Sequence, residues 1–217
     1  MIDTIKLRKI LGWLGMLLPW IVAILYMIFE VSAFNLPHSI SATYYVNSCI
    51  TPFMIILGAA GILLICYSGY DKLDSIICTI AGIFGLGICL FPCATYANSV
   101  DIDPTTLVGT FQLPAGVSGW IHNITAVIFF GLLAFNSFFL FTKSSGVMTE
   151  QKKKRNIIFR VCGIGMIGSF ALLIPLLLLK VGFAIWLVEA IALMFFGISW
   201  LTKSQCYTWL FKDKETK

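Results

Sequence analysis

Six long apolar runs constrain this chain more than anything else in it. They lie near 10–30, 48–69, 74–92, 118–142, 156–179 and 182–202, broken only by isolated charges. Each is close to the roughly 20 residues that a helix needs to cross the hydrocarbon of a bilayer. The apolarity is continuous and does not alternate, so each run satisfies its backbone as a helix and not as a barrel strand. The expected fold class is all-α, a bundle of six transmembrane helices forming one domain over 1–203, followed by a short interfacial tail over 204–217. Composition points the same way: 59% of the 217 residues are hydrophobic, 12% are charged and the mean hydropathy is +0.94. No water-soluble fold hides that much apolar surface. The first run follows Lys6, Arg8 and Lys9 and is too long for a signal-peptide core, so it reads as a retained span.

The net charge of +5 is distributed as an orientation signal, not as a nucleic-acid footprint, and no nucleic-acid partner is expected. The N-terminus, the Tyr70 to Asp74 turn, the Lys143 to Arg160 segment and the C-terminal tail hold 14 of the 15 Lys and Arg residues, all but Lys180. Loops 31–47 and 93–117 hold none, so the positive-inside rule expects both ends in the cytoplasm and those two loops extracytoplasmic. Lys152, Lys153, Lys154 and Arg155 form a basic cluster that serves first as an orientation signal, with lipid-headgroup recognition as the second reading. Tyr207, Trp209, Leu210 and Phe211 beside lysines suggest a short helix lying at the interface.

Small residues allow close helix packing: Gly58, Ala59, Ala60 and Gly61 in the second run, Gly82, Gly85 and Gly87 in the third, Gly163, Gly165 and Gly168 in the fifth. They fit packing within one bundle or against a protein partner or second copy. The seven cysteines form no CxxC pair, which argues against a zinc ribbon or a redox motif. Cys49, Cys89 and Cys93 fall near one face of the membrane, where one disulfide would fit. No metal and no cofactor is expected.

Ionisable groups inside spans are costly and are functional candidates by default. Glu189 lies about seven residues into the sixth run, roughly 10 Å below its outer end. His122 and Asn123 open the fourth run, with His122, Ala126 and Phe130 on one helical face. Glu30 ends the first run, and His38, Ser39, Ser41 and Tyr44 occupy the loop after it. These residues can converge on one outward-facing polar pocket that binds a lipid headgroup or small polar ligand. In it Glu189 is the buried acceptor or proton holder, His122 its hydrogen-bonding partner, and the loop hydroxyls are donors. The bland alternative is that Glu189 and His122 pair to hold two helices in register.

Catalysis is the weaker reading. A zinc hydrolase would draw on His38, His122 and a carboxylate, yet no HxxxH or HExxH spacing occurs. A serine hydrolase would use Ser39 or Ser41 with His122 and Glu189, yet no GxSxG elbow frames either serine. A transporter would carry polar groups across the membrane, and Asn136 and Ser137 are the one polar pair at mid-depth. A structural scaffold is the remaining alternative.

The Pro37-His38-Ser39-Ile40-Ser41 element, His122 and the aromatics of the fourth run, and Glu189 in the sixth together resemble the six-span family of the damage-regulated autophagy modulators and the GPI-anchor lipid-remodelling factor. The order of these features along the chain is similar, over roughly residues 10–203. His38 stands where the eukaryotic members often have an aromatic residue. The chain is also similar to a prokaryotic six-span family of unknown function. The resemblance implies a role connected to membrane lipids or their regulation, without supplying a reaction.

Overall fold

The computed structural model describes residues 3–30, 35–144 and 148–206. It is all-helical, and six helices are long and apolar enough to cross a membrane, the architecture of a multi-pass membrane protein. Helix α1 (Thr4–Phe29) starts well before residue 10, because the Asp3 carboxylate caps it by accepting from the N–H groups of Ile5 and Lys6 at 2.9 and 3.4 Å. Helices α2 (Asn47–Ile65) and α3 (Lys72–Leu90) are joined by a tight turn. In that turn Asp71 caps α3 by accepting from the Asp74 N–H at 2.8 Å, and the buried Asp74 carboxylate accepts from the Tyr70 N–H at 2.9 Å.

The loop after α3 contains a two-stranded antiparallel ribbon, β1 (Leu107–Val108) and β2 (Leu113–Pro114). Helix α4 (Ala115–Phe135) runs on through one π-helical turn, Asn136–Leu140. Helix α5 (Glu150–Ala171) is capped by the Thr149 hydroxyl, breaks at Leu172 and resumes as α6 (Leu173–Leu178). The two together make one span. Lys180 then adopts a left-handed conformation, φ +54°, and the Val181 N–H bonds back to the Leu176 carbonyl at 3.0 Å. That closes the helix in the manner usually left to glycine. Helix α7 (Ala184–Lys203) completes the bundle. The tail aromatics Tyr207, Trp209, Leu210 and Phe211 lie outside the described residues.

The helices pack in a closed ring, each on its chain neighbours, with α5 on α7 and α7 on α1 closing the circuit. Helix α7 is the most enclosed, with 61% of its apolar window buried, and α5 the least, with 22%. The interior is filled by large side chains, among them Phe53, Phe141, Phe159 and Trp200, all less than 2% exposed. The outward faces carry bare apolar residues such as Ile55, Val127, Ile164 and Leu178, as a lipid-facing surface requires.

Glycine sets the closest approaches. A side chain at Gly197 would put its Cβ 2.7 Å from the Gly12 carbonyl oxygen, so α1 and α7 touch backbone to backbone there. Gly61 and Gly82 do the same for α2 and α3, and Gly163 meets Ala134 of α4 and Phe138 of the π-helical turn after it. The small residues are therefore mostly spent inside the bundle, whereas Gly58 and Gly168 face no atom of the chain within 4 Å. All seven cysteines are free thiols, so Cys49, Cys89 and Cys93 form no disulfide; the Cys49 thiol donates to the Val22 carbonyl instead.

Candidate functional site

The chain reverses direction with each span, so α1 ends, α4 begins and α7 begins at the same end of the bundle. The loop after α1 folds back across that end. It is stitched down by the His38 N–H, which donates to the Ala97 carbonyl at 2.8 Å, and by the His38 carbonyl, which accepts from the Trp186 N–H at 2.9 Å. A short 3-10 helix, Ser41–Tyr45, follows. This loop is the roof of a cavity of about 360 Å³ whose polar lining comes from His38, Ser39, Ser41, Thr95, His122, Asn123 and Glu189.

Glu189 is the centre of the roof's attachment. Its carboxylate accepts from the Ser39 hydroxyl at 3.0 and 3.1 Å, from the Ile40 N–H at 2.6 Å and from the Ser41 hydroxyl at 3.5 Å. The Ser39 oxygen in turn accepts from the N–H groups of Ser41 and Ala42 at 3.0 and 3.4 Å, so one serine links the carboxylate to the start of the 3-10 turn. Among the described residues neither Lys nor Arg lines the cavity and no ion pair reaches Glu189. A carboxylate offers about four acceptor positions, and these partners are all neutral. Its charge, when present, is therefore uncompensated and faces the cavity wall. A smaller cavity of about 30 Å³, lined by Leu18, Phe53, Phe130 and Leu193, shares Ser41 and Glu189 with the larger one. Glu189 thus stands at the boundary between polar and apolar space.

His122 does not bond to Glu189, contrary to the pairing its position suggests. Its Nδ1 lies 2.8 Å from the Phe91 carbonyl oxygen just beyond α3. A carbonyl only accepts, so Nδ1 carries the proton, and in a neutral ring the lone pair is left on Nε2. The buried ring, 4% exposed, ties α4 to α3, and it meets Glu189 only as another wall of the same cavity. The α4 face with Phe130 below His122 does point into the bundle.

The other candidates divide. Asn123, His38, Ser39 and Ser41 line the cavity. Tyr44 does not: it packs on the hydrophobic core with its ring 5.2 Å from that of Tyr45. Glu30 lines a separate cleft of about 550 Å³ with Asn98 and Ser99, and accepts from the Ser48 hydroxyl at 3.2 Å. His38 borders both spaces, with Nδ1 3.0 Å from the Gly182 carbonyl and 2.9 Å from the Ser99 hydroxyl. Sequence reasoning missed Thr95 and Trp120, which also line the larger cavity. An aromatic residue at the opening of a span was the available signal for Trp120; Thr95 had none.

The chemistry open to this arrangement is hydrogen bonding and charge neutralisation. Neither Ser39 nor Ser41 donates to an imidazole. Among the described residues no three His, Cys, Asp or Glu side chains gather as a metal-ligand set. Burial pushes the Cys93 thiol up to about 12, so it presents no thiolate at neutral pH. No family model, curated protein or solved structure matches the chain.

Proposed function

We propose that this multi-pass membrane protein binds a lipid headgroup or small polar ligand in the cavity roofed by the first loop, in a lipid-related or regulatory role. The observation that carries the reading is the combination at Glu189: a buried carboxylate held by neutral donors at the wall of a polar cavity with no Lys or Arg among the described residues that line it. Carboxylates inside spans are rare without a partner or a cavity to serve. A ligand that brings an ammonium or several hydroxyl donors supplies that partner. Trp120, 72% exposed at the cavity's edge, gives an acyl chain an apolar surface to lie along.

The charge pattern supports an orientation with the cavity on the extracytoplasmic side and both chain ends in the cytoplasm. Lys6, Arg8 and Lys9 lie in the first turns of α1, Lys152, Lys153, Lys154 and Arg155 in the first turns of α5, and Lys203 in the last turn of α7. All belong to the end opposite the cavity, which supports this orientation.

Native mass spectrometry of the purified protein tests the reading, with wild type compared with His122→Ala, Glu189→Gln and Asn123→Ala. A lipid or polar ligand retained at one per chain by the wild type and lost from the variants supports it. Equal retention by all four, or none by a folded wild type, overturns it.

A further inference from the structure

The hydrogen-bonding character of the Glu189 cavity narrows its ligand beyond a polar headgroup. Three side chains of the wall, Glu189, His122 and His38, come from α7, α4 and the roof loop. We infer that they receive a primary ammonium group, carried by an aminophospholipid headgroup or by a free amine. The inference rests on the reading of this cavity as a ligand site and names the group that the site takes.

Donors and acceptors can be counted. The Glu189 carboxylate offers about four acceptor positions. Among the described residues its short bonds come from the Ser39 hydroxyl and the Ile40 N–H, while the Ser41 hydroxyl stands off at 3.5 Å. Acceptor capacity remains, and Glu189 keeps part of its surface accessible at the wall. His122 spends its Nδ1 hydrogen on the Phe91 carbonyl. His38 does likewise: its Nδ1 faces the Gly182 carbonyl at 3.0 Å and the Ser99 hydroxyl at 2.9 Å, and both of those residues belong to the separate cleft. In each neutral ring the nitrogen left for the larger cavity is Nε2, which carries a lone pair. A carboxylate and two imidazole nitrogens are therefore all acceptors, and one of them brings a full negative charge.

An ammonium matches that wall, because it carries three N–H donors, the opposite charge and no acceptor. A ligand hydroxyl supplies donors but leaves the charge uncompensated. A metal ion needs its ligands gathered at roughly 2.0–2.2 Å, and among the described residues no three His, Cys, Asp or Glu side chains are so placed. A quaternary ammonium has the charge without the N–H, and proteins hold it among several aromatic faces. Trp120 is the one Phe, Tyr or Trp among the described residues that line this cavity. Lys180, exposed beyond α6, is not part of the wall, so no cation of the chain occupies the place of the ligand's. For a phospholipid, Asn123 and Trp120 leave amide and indole N–H donors at the exposed edge to meet the phosphate. Room is sufficient: the cavity holds about 360 Å³, and a water needs only about 10–15 Å³ of comparable volume.

The test uses the full chain in dodecyl maltoside micelles, with dioctanoyl phosphatidylethanolamine, phosphatidylcholine and phosphatidylglycerol as probes and titration calorimetry as the readout. The first two differ only in methylation of the nitrogen, and the third replaces the ammonium by hydroxyls. The wild type should bind phosphatidylethanolamine at one site per chain and at least about tenfold more tightly than either of the others, the scale of a lost hydrogen bond to a charged group. Glu189→Gln, which retains an oxygen for the Ile40 N–H, should weaken that binding by about tenfold or more and narrow its lead over phosphatidylcholine. The comparison of probes on the wild type depends on no variant folding. Full competition by millimolar ethanolamine identifies a free amine as the ligand, and failure to compete identifies the lipid headgroup; both support the ammonium. Phosphatidylcholine or phosphatidylglycerol bound as tightly as phosphatidylethanolamine overturns the inference while leaving the cavity a ligand site. So does phosphatidylethanolamine binding that a folded Glu189→Gln keeps at full strength. Silence of every probe, ethanolamine included, on a folded wild type overturns it as well, and what the protein retains in native mass spectrometry then decides separately whether the cavity is a ligand site.

Discussion

Glu189 holds the first loop through groups that a shorter side chain cannot reach. Replacing it with alanine leaves the Ile40 N–H and the Ser39 hydroxyl without their acceptor in a buried setting, at a cost of about 1–3 kcal/mol for each unsatisfied group. Glu189→Gln keeps one acceptor oxygen for the Ile40 N–H and should cost less. Thermal unfolding in detergent checks the order: wild type highest, glutamine next, alanine lowest. Equal midpoints for all three would mean that the roof is held by its backbone bonds to Ala97 and Trp186 alone. Much of this site was legible in the sequence, because a carboxylate in an apolar run and a histidine opening another are expensive and conspicuous. What was not legible is who bonds to whom. The Ile40 N–H and the Phe91 carbonyl are backbone groups that every residue possesses, so nothing in the sequence marks them as the partners of Glu189 and His122.

At the level of elements, the turn between α2 and α3 carries a pH dependence of definite sign. Lys143, 2.6 Å away, and the Asp74 N–H hold the Asp71 carboxyl below its usual range. A carboxyl lowered in the folded state contributes stability above the ordinary Asp value of about 3.9 and loses it as the pH falls through the lowered folded value. Both partners are substantially exposed, so the effect is small. The melting temperature of Lys143→Met should lie slightly below wild type at pH 6 and converge with it in acid; a constant gap across that range would count against the ion pair. The α1–α7 contact gives a larger effect. Gly197→Val drives a branched side chain into the Gly12 carbonyl and Met16 and should lower stability by about 1–3 kcal/mol. Gly168→Ala, which meets no atom of the chain, should be neutral or slightly stabilising. The element boundaries show why hydropathy located the helices but not their ends. Lipid demands apolar residues only across the hydrocarbon, whereas capping by Asp3 and Thr149 extends α1 and α5 as helix into charged sequence at the membrane surface.

For the whole molecule, the proposed orientation predicts which surfaces a membrane-impermeant thiol reagent can reach. In a cysteine-free background, Thr105→Cys in the loop after α3 should react in intact cells or spheroplasts and Lys153→Cys only after the membrane is opened. The reverse pattern would invert the molecule and move the Glu189 cavity to the cytoplasm. Six spans were readable from the sequence because each apolar run speaks for itself. Their arrangement as a ring was not, because apolarity along a chain does not say which helices meet once they pack.

The ring also imposes an order on biosynthesis. Ser39 and the carboxylate it bonds are 150 residues apart. During translation the first loop therefore emerges long before α7 exists to hold it, and α1 waits equally long for the groove around Gly197. Until α7 is inserted, the bundle is open on one side: the roof has no anchor, and α1 and α5 both lack the helix they pack against. The roof over the Glu189 cavity thus comes into being in a single late step. A nascent chain stalled before that step would present an open-sided, five-helix intermediate in which the first loop has no carboxylate to hold it.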